Sequence, residues 1–406
     1  MSPWIKVFWV LATADLLIWW VLWRTVARPP HRWKWASLSL HLFFAIMITT
    51  LGIMMLGRTH HWNVDVLVPR FITVAVFLWH FIVVPLALIG IIIAAIISAI
   101  GMLIRLFRTR QNTTPPTGLT RREFVARLTA LTPPALTVVL SIIAEQQLKG
   151  FRIRRITVPL ATLPAALDGM TIALVADSHA GRFTHGEILD HIATATNALN
   201  ADLVLFAGDL INDTLAWLDD GIAMLKKIPG PLVVIEGNHD LFEDADEFRS
   251  RVKASGLNLL VNETATLTIR GVPVQILGME WGTDSHRPSR ASEPQLADSA
   301  ARLLKLRDLA AFPILMAHHP HAWDYVSGIP LTISGHTHGG QLMLTDHLGA
   351  GPLLFRYWSG LYTRKAATPS DGSEALIVSN GIGNWFPLRT RAPAEIIHLT
   401  LKRSAA

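Results

Sequence analysis

Two hydrophobic patterns divide this chain. In the first, apolar runs continue almost without a charge through residues 4–23, 36–57 and 71–104. A bilayer's hydrocarbon core of about 30 Å takes ~20 residues of helix at ~1.5 Å per residue. Each run therefore predicts a membrane-spanning helix. The third is too long for a simple crossing, since its extent makes roughly 50 Å of helix. It must tilt, protrude, or break into a re-entrant pair near Pro85 and Gly90. A fourth, weaker segment is 128–144, which holds Pro133-Pro134. After about residue 150 the pattern changes. Short Val/Ile/Leu runs at 171–176, 203–207, 232–236, 313–317 and 331–334 alternate with amphipathic stretches at 185–199, 214–228, 244–255 and 294–310. That alternation predicts buried strands of a parallel or mixed sheet, covered on both faces by helices. The expected organisation is a multi-span α-helical region, 1–150, followed by an α/β domain, 151–406.

Composition follows the same division. Residues 1–150 carry 14 Lys+Arg against 4 Asp+Glu, and the remainder 22 against 26. The sequence pI of about 9.8 thus belongs to the apolar half and gives no reason to expect nucleic-acid binding, which would place the excess on the soluble domain. There are no cysteines, which excludes disulfides and thiolate metal sites and leaves the compartment and the oligomeric state open.

Loop charges orient the spans. Arg24, Arg28, Arg32 and Lys34 follow the first, Arg58 and Arg70 the second, and Arg105, Arg108, Arg110, Arg121, Arg122 and Arg127 the third. The order rich, poor, rich places the first and third loops in the cytoplasm. A fourth span would carry the C-terminal half to the periplasmic face of the inner membrane. Nine of the 14 Trp fall in this half, many near span ends, as interfacial anchors do. Thr120-Arg121-Arg122-Glu123-Phe124 resembles a twin-arginine export signal in an internal position; the plainer reading is a positive-inside anchor. No small-residue cleavage site follows, so the segment is expected to remain as an anchor. Asp15, His41 and His80 lie within spans, each isolated in sequence, and are expected to make helix-packing hydrogen bonds.

The five soluble-half strands end in potential ligands: Asp177 and His179; Gly208-Asp209; Asn238, His239 and Asp240; His318 and His319; His336 and His338. Open α/β sheets bind ligands beyond the carboxyl ends of their strands. Carboxylate, amide and imidazole donors without sulfur suit Mn, Fe, Zn or Co. In "SGHTHGGQ", residues 334–341, an extended backbone would point both imidazoles the same way.

These ordered motifs (D-x-H at 177–179, G-D at 208–209, G-N-H-D at 237–240, H-x-P at 318–320 and G-H-x-H at 335–338) resemble the calcineurin-like metallophosphoesterase family. Gly339-Gly340-Gln341 and the ending "VSNGIGNWFPLRTRAPAEIIHLTL" look like its membrane-anchored or exported bacterial branch, the YkuE and YaeI type. The resemblance implies a layered αββα sandwich with mixed sheets and two divalent metal ions. It implies that Asp177, His179 and His338 hold one ion, that Asn238, His318 and His336 hold the other, and that Asp209 bridges them. His239 would be the general acid or would stabilise phosphoryl oxygens, with Asp240 orienting it. Many members place a supporting aspartate three residues after the bridging one; here Asn212 stands there with Asp213 beside it, and either is a candidate. His319 is a possible substrate contact. His185, His191, His286, His321, His347 and His398 match no motif and are read as surface residues.

The expected function is hydrolysis of a phosphodiester, phosphomonoester or pyrophosphate through a metal-bound hydroxide. Lipid-linked substrates of the UDP-2,3-diacylglucosamine type are candidates, although such a substrate faces the cytoplasm and the charge pattern places the domain outside. Arg152, Arg154 and Arg155 would meet lipid phosphates or form a solvated strand face. Two other readings stand beside it. The helical half is a transport or sensing module with a metal-binding regulator, or the domain is a cytoplasmic protein or nucleotide phosphatase and the fourth segment does not cross.

Overall fold

The computed structural model describes residues 3–27, 33–60, 64–106, 120–282, 292–366 and 372–404. Arg28, Arg32, Arg108, Arg110 and His286 lie outside the described residues. Two compact units divide the chain, Met1–Gln146 and Gln147–Ala406.

The first unit is helical: α1 (Pro3–Val26), α2 (Lys34–His60), α3 (Val64–Leu67), α4 (Arg70–Leu78), α5 (Val84–Leu106) and α6 (Arg121–Gln147). Among the described residues, four segments are long and apolar enough to cross a membrane: Ile5–Val26, Lys34–Gly57, Arg70–Leu103 and Arg121–Gln147. The long third segment does not break at Pro85 or Gly90. A π-turn, Trp79–Val83, joins α4 to α5, and the Val84 amide donates back to the Trp79 carbonyl. Pro85 has no amide hydrogen to give, and the helix absorbs the irregularity as a wide turn just before it. That turn presents Trp79 and His80 to Asp15 of α1. Trp79 Nε1 donates to Asp15 Oδ1 at 2.6 Å, and His80 Nε2 lies 3.0 Å from Asp15 Oδ2, all three residues being buried. His41 instead is exposed and packs on Trp19 and Trp23.

The fourth helix is longer than its apolar stretch suggests, because polar capping extends it. Thr120 Oγ1 accepts from the Glu123 amide at 3.2 Å, and Glu123 Oε2 accepts from the Thr120 amide at 3.0 Å. This reciprocal pair is a capping box.

The second unit contains β1 (Arg152–Leu160), β2 (Thr171–Val175), α7 (Glu187–Asn197), β3 (Leu203–Ala207), α8 (Leu218–Lys226), β4 (Leu232–Ile235), α9 (Ala245–Ala254), β5 (Leu259–Leu260), β6 (Glu263–Ile269), β7 (Val272–Gly278), α10 (Glu293–Lys305), β8 (Phe312–Met316), β9 (Leu331–Ser334), β10 (Met343–Thr345), β11 (Leu348–Gly349), α11 (Ala350–Leu354), β12 (Gly360–Lys365), β13 (Ser373–Val378) and β14 (Glu395–Arg403). Two six-stranded sheets form, ordered β1-β14-β2-β3-β4-β5 and β12-β13-β9-β8-β7-β6. Leu174, Leu205, Ile276, Ile314, Ile333 and Ile377 pack between them in one apolar core. On the outer face of the first sheet, Ile192, Leu225 and Phe248 of α7, α8 and α9 pack on Val204 and Val234. On the second, Leu296 and Leu303 of α10 pack on Leu277 and Leu315. The result is an αββα sandwich with mixed sheets.

Direction of the strands decides where chemistry collects. β2, β3 and β4 run parallel, as do β7, β8, β9 and β13. Their carboxyl ends meet at one end of the sandwich. β14 is antiparallel to β2, with Ile397 opposite Leu174, and β1 is parallel to β14, with Arg152 opposite Glu395. The chain therefore enters this unit at the same end.

Candidate metal centre

The ligand-bearing loops after β2, β3 and β9 turn sharply as their strands end. Asp177 (φ 55°), His179 (44°), Asp209 (56°), His336 (72°) and His338 (51°) all adopt the left-handed conformation. Such backbone is costly outside glycine and persists where the surroundings over-determine it, typically at functional sites. For "SGHTHGGQ" this corrects the expectation of extended backbone. β9 stops at Ser334, His336 sits in a left-handed turn, and His338 begins a 3₁₀ turn. The two imidazoles go to different groups because the backbone turns between them. Gly335 is needed for close approach: a Cβ there would lie 2.5 Å from Asp177 Oδ2.

Among the described residues three overlapping donor groups result, one of them His179, Asp209 and His239, and the other two share no residue. The ligand atoms of Asp177, His179 and His338 lie within 4.8 Å of one another, as do those of Asp209, His318 and His336. Asn238 joins the second group, with Oδ1 3.0 Å from His336 Nδ1. Asp209 reaches the first group too: its Oδ2 is 3.5 Å from His179 Nε2 and 3.2 Å from His318 Nε2. One carboxylate thus stands between both sets. The main chain holds these carboxylates in place. The His336 amide donates to Asp177 Oδ1 and the His239 amide to Asp209 Oδ1, each at 2.8 Å.

The buried polar atoms fit divalent ions. His318 Nδ1 donates to the Ala207 carbonyl at 2.6 Å, which leaves Nε2 facing Asp209 and Asp177. That nitrogen and Asp177 Oδ2 are buried without a hydrogen-bond partner. His179 Nε2 and His338 Nε2 face each other at 2.9 Å. Lone pairs and carboxylate oxygens converging out of water need a cation or a proton between them.

Electrostatics agree. Burial pushes Asp177 up to about 7, even beside His318. Burial pushes Asp209 up as well, but His318 and His239 outweigh it and hold it below the usual carboxylate range. His318 is pulled down by burial, yet Asp209 and Asp177 more than offset this and raise it to about 9. His179, His336 and His338 are driven well below the usual imidazole value, first by burial and then by neighbouring cationic groups. They are neutral, the form in which imidazole binds metals.

Hydrogen bonds fix His239, Asp240 and His319 around the donor groups. His239 is half-buried and edge-on to His179, with ring centroids 4.5 Å apart. Its Nδ1 donates to the main-chain carbonyl of Asn212, so the Asn212 side chain is not the support. Asp240 does not orient His239. Its carboxylate accepts from the Ile211 amide at 3.0 Å and the Gly237 amide at 2.9 Å, pinning two ligand loops together. His319 caps the turn after His318, accepting from the His321 amide at 3.2 Å, and its ring lies 5.0 Å from that of His336. Of the remaining motif-free histidines described, His191 and His347 are exposed, while His185, His321 and His398 are half-buried against neighbours rather than free on the surface.

Sequence reasoning missed the contributions of β7 and β13. After β7, Trp281 is buried with its ring 5.3 Å from His318 and 4.8 Å from His336. After β13, Arg389 is buried and donates to His338 Nδ1 at 2.9 Å, to Asn384 Oδ1, and to the carbonyls of Asn380, Gly383 and Ala392. Burial lowers it to about 10. An arginine in the apolar, Gly- and Asn-rich run "NGIGNWFPLRT" was the available signal.

Comparison with known proteins places this arrangement. The profile of the calcineurin-like phosphoesterase family matches residues 170–340. An uncharacterized metallophosphoesterase of Bacillus subtilis, YkuE, is 29% identical over 61% of this chain and 84% of its own length. An uncharacterized metallophosphoesterase of Campylobacter jejuni is 30% identical over 59% of this chain, and the match spans 61% of that protein. A zebrafish transmembrane protein with metallophosphoesterase domain is 26% identical over 61% of this chain and 57% of its own length.

Proposed function

We propose that this chain, whose residues 170–340 match the calcineurin-like phosphoesterase profile, is a dinuclear metal-dependent hydrolase of a phosphodiester, phosphomonoester or pyrophosphate. The observation that supports two ions rather than one is Asp209, shared between two donor groups whose unpartnered atoms point inward. Mn, Fe, Zn and Co all suit the oxygen and nitrogen donors. Two divalent ions, when bound, supply Lewis acidity to a phosphoryl group and activate water towards it. Asp177, His179 and His338 would hold one, and Asn238, His318 and His336 the other. The Asp209 carboxylate, between the two sets, would offset repulsion between the two cations. With its Nδ1 engaged by the Asn212 carbonyl, His239 keeps Nε2 for a proton that the leaving oxygen takes.

The alternation of loop charges supports a cytoplasmic-membrane protein whose α/β unit is extracytoplasmic. Lipid-linked phosphoesters are the substrate class this location favours.

The test is turnover by the purified full chain with Mn²⁺ on a generic phosphodiester and a monoester, beside Asp209→Asn. We expect activity in the parent, loss of at least two orders of magnitude in the variant, and weaker metal binding by calorimetry. Parent activity no greater than the variant's with every divalent metal tried would overturn the hydrolase and leave a metal-binding regulator.

A further inference from the structure

Beside the metal centre stands a feature that neither the core nor the ligands use. Between His338 and Phe355 the chain forms the β10–β11 hairpin and α11. Leu344, Leu348, Leu353 and Leu354 in this stretch are 75%, 54%, 79% and 69% exposed. Its base is firmly built. Met343 is buried, and its main chain exchanges hydrogen bonds with Thr390 Oγ1 at 2.9 and 2.8 Å. A Cβ at Gly340 would meet the Gly351 amide at 2.3 Å, so the two ends of the stretch are in contact. Phe355 closes it, with its ring 5.6 Å from that of His336. A single exposed leucine is ordinary; four within one short stretch, with exposed Thr345, Asp346 and His347 among them, make a candidate interaction surface.

The rest of the unit says what covers it. The chain enters at the metal-bearing end, because Arg152 of β1 lies opposite Glu395 of β14, whose start neighbours the end of β2. Only residues 148–151 separate that point from the end of α6, a helix long and apolar enough to cross a membrane. Four residues reach at most about 14 Å. Lys149, Arg356 and Arg391 are exposed in this tether and beside the hairpin; Arg356 and Arg391 face Asp324 and Asp346 at 3.5 and 3.8 Å, solvent-exposed pairs that lipid phosphates can compete for.

We propose that the β10–β11 hairpin and α11 form a membrane-docking surface. The four leucines enter the interfacial layer of the bilayer from which the chain emerges and hold the metal centre against its headgroups. The docking stands without the hydrolytic reading; its consequence, that the phosphoester arrives on a membrane amphiphile, rests on that reading.

The chain has no cysteine, so a single polarity-sensitive fluorophore can be placed by Leu353→Cys in the full chain, in vesicles of phosphatidylcholine and phosphatidylglycerol. The reference is Leu309→Cys, a leucine 86% exposed just before β8 and so at the opposite end of the sheet. We expect brominated acyl chains to quench the label at 353 several-fold more than at 309. Adding Leu344→Ser and Leu354→Ser should remove the difference while the melting transition persists. Equal quenching at both sites overturns the proposal. So does energy transfer between labelled copies in dilute detergent, which would assign the leucines to a second copy of the chain. The Asp209→Asn background should quench identically, which separates failure of docking from failure of the hydrolase.

Discussion

At the residue scale, the separation of side chain from main chain matters most at Asn212. The sequence offered its amide, or the neighbouring Asp213, as the support for His239. In the structure the Asn212 carbonyl does that work, and any L-residue supplies a carbonyl. Asn212→Ala should therefore retain kcat within a few-fold. His239→Ala should lower kcat by about 10²–10⁴, the usual range for a lost acid–base group. Equal losses in both variants would show that the Asn212 side chain takes part. The candidate metal donors were legible because Asp, Asn and His at five strand ends need no geometry to be noticed. Arg389 was not, because only the folded chain shows its guanidinium buried among five acceptors.

At the scale of elements, the apolar runs identified the long helices, but their ends depended on chemistry the runs do not contain. The Thr120–Glu123 capping box lengthens α6 beyond its apolar stretch, and Pro85 displaces the irregularity of the third segment to the π-turn ahead of it. Arg121 and Arg122 occupy the first turn of α6, where positive charge opposes the helix dipole. Helix stability does not explain them, which favours a role in anchoring or export. If α6 crosses, an alkaline phosphatase fused to the C-terminus should be active in intact cells and a β-galactosidase fusion inactive. The reverse pattern would place the α/β unit in the cytoplasm.

At the scale of the whole molecule, the buried charges of the metal centre make stability depend on pH. An unfolded histidine titrates near ~6.5 and an aspartate near ~3.9. His318, held protonated up to about 9, contributes stability that is complete below ~6.5 and lost as pH rises through 9. Asp177, raised to about 7, acts in the same direction between ~4 and 7. The depressed histidines 179, 336 and 338 impose a penalty that grows only as pH falls below ~6.5. With a chelator present, Tm should fall between about pH 6.5 and 9. Saturating Mn²⁺ should flatten that fall by supplying the positive charge His318 gives up. A chelated Tm that is level or rises across this window would show that the ligands are not coupled as described.

The sequence by itself determined the two kinds of hydrophobic pattern, the boundary near residue 150, and the donor atoms at the strand ends. These follow from local periodicity and residue type. The resemblance read from the motifs already implied two sheets and separate places for His336 and His338. Only the tertiary structure showed that the backbone turns between those histidines and that parallel β7 and β13 add Trp281 and Arg389. It alone brought Asp15, Trp79 and His80 together from distant positions. The physical reason is the same in each case. Strand direction, left-handed turns and helix register determine which distant side chains meet, and none of these is carried by the order of hydrophobic and polar residues.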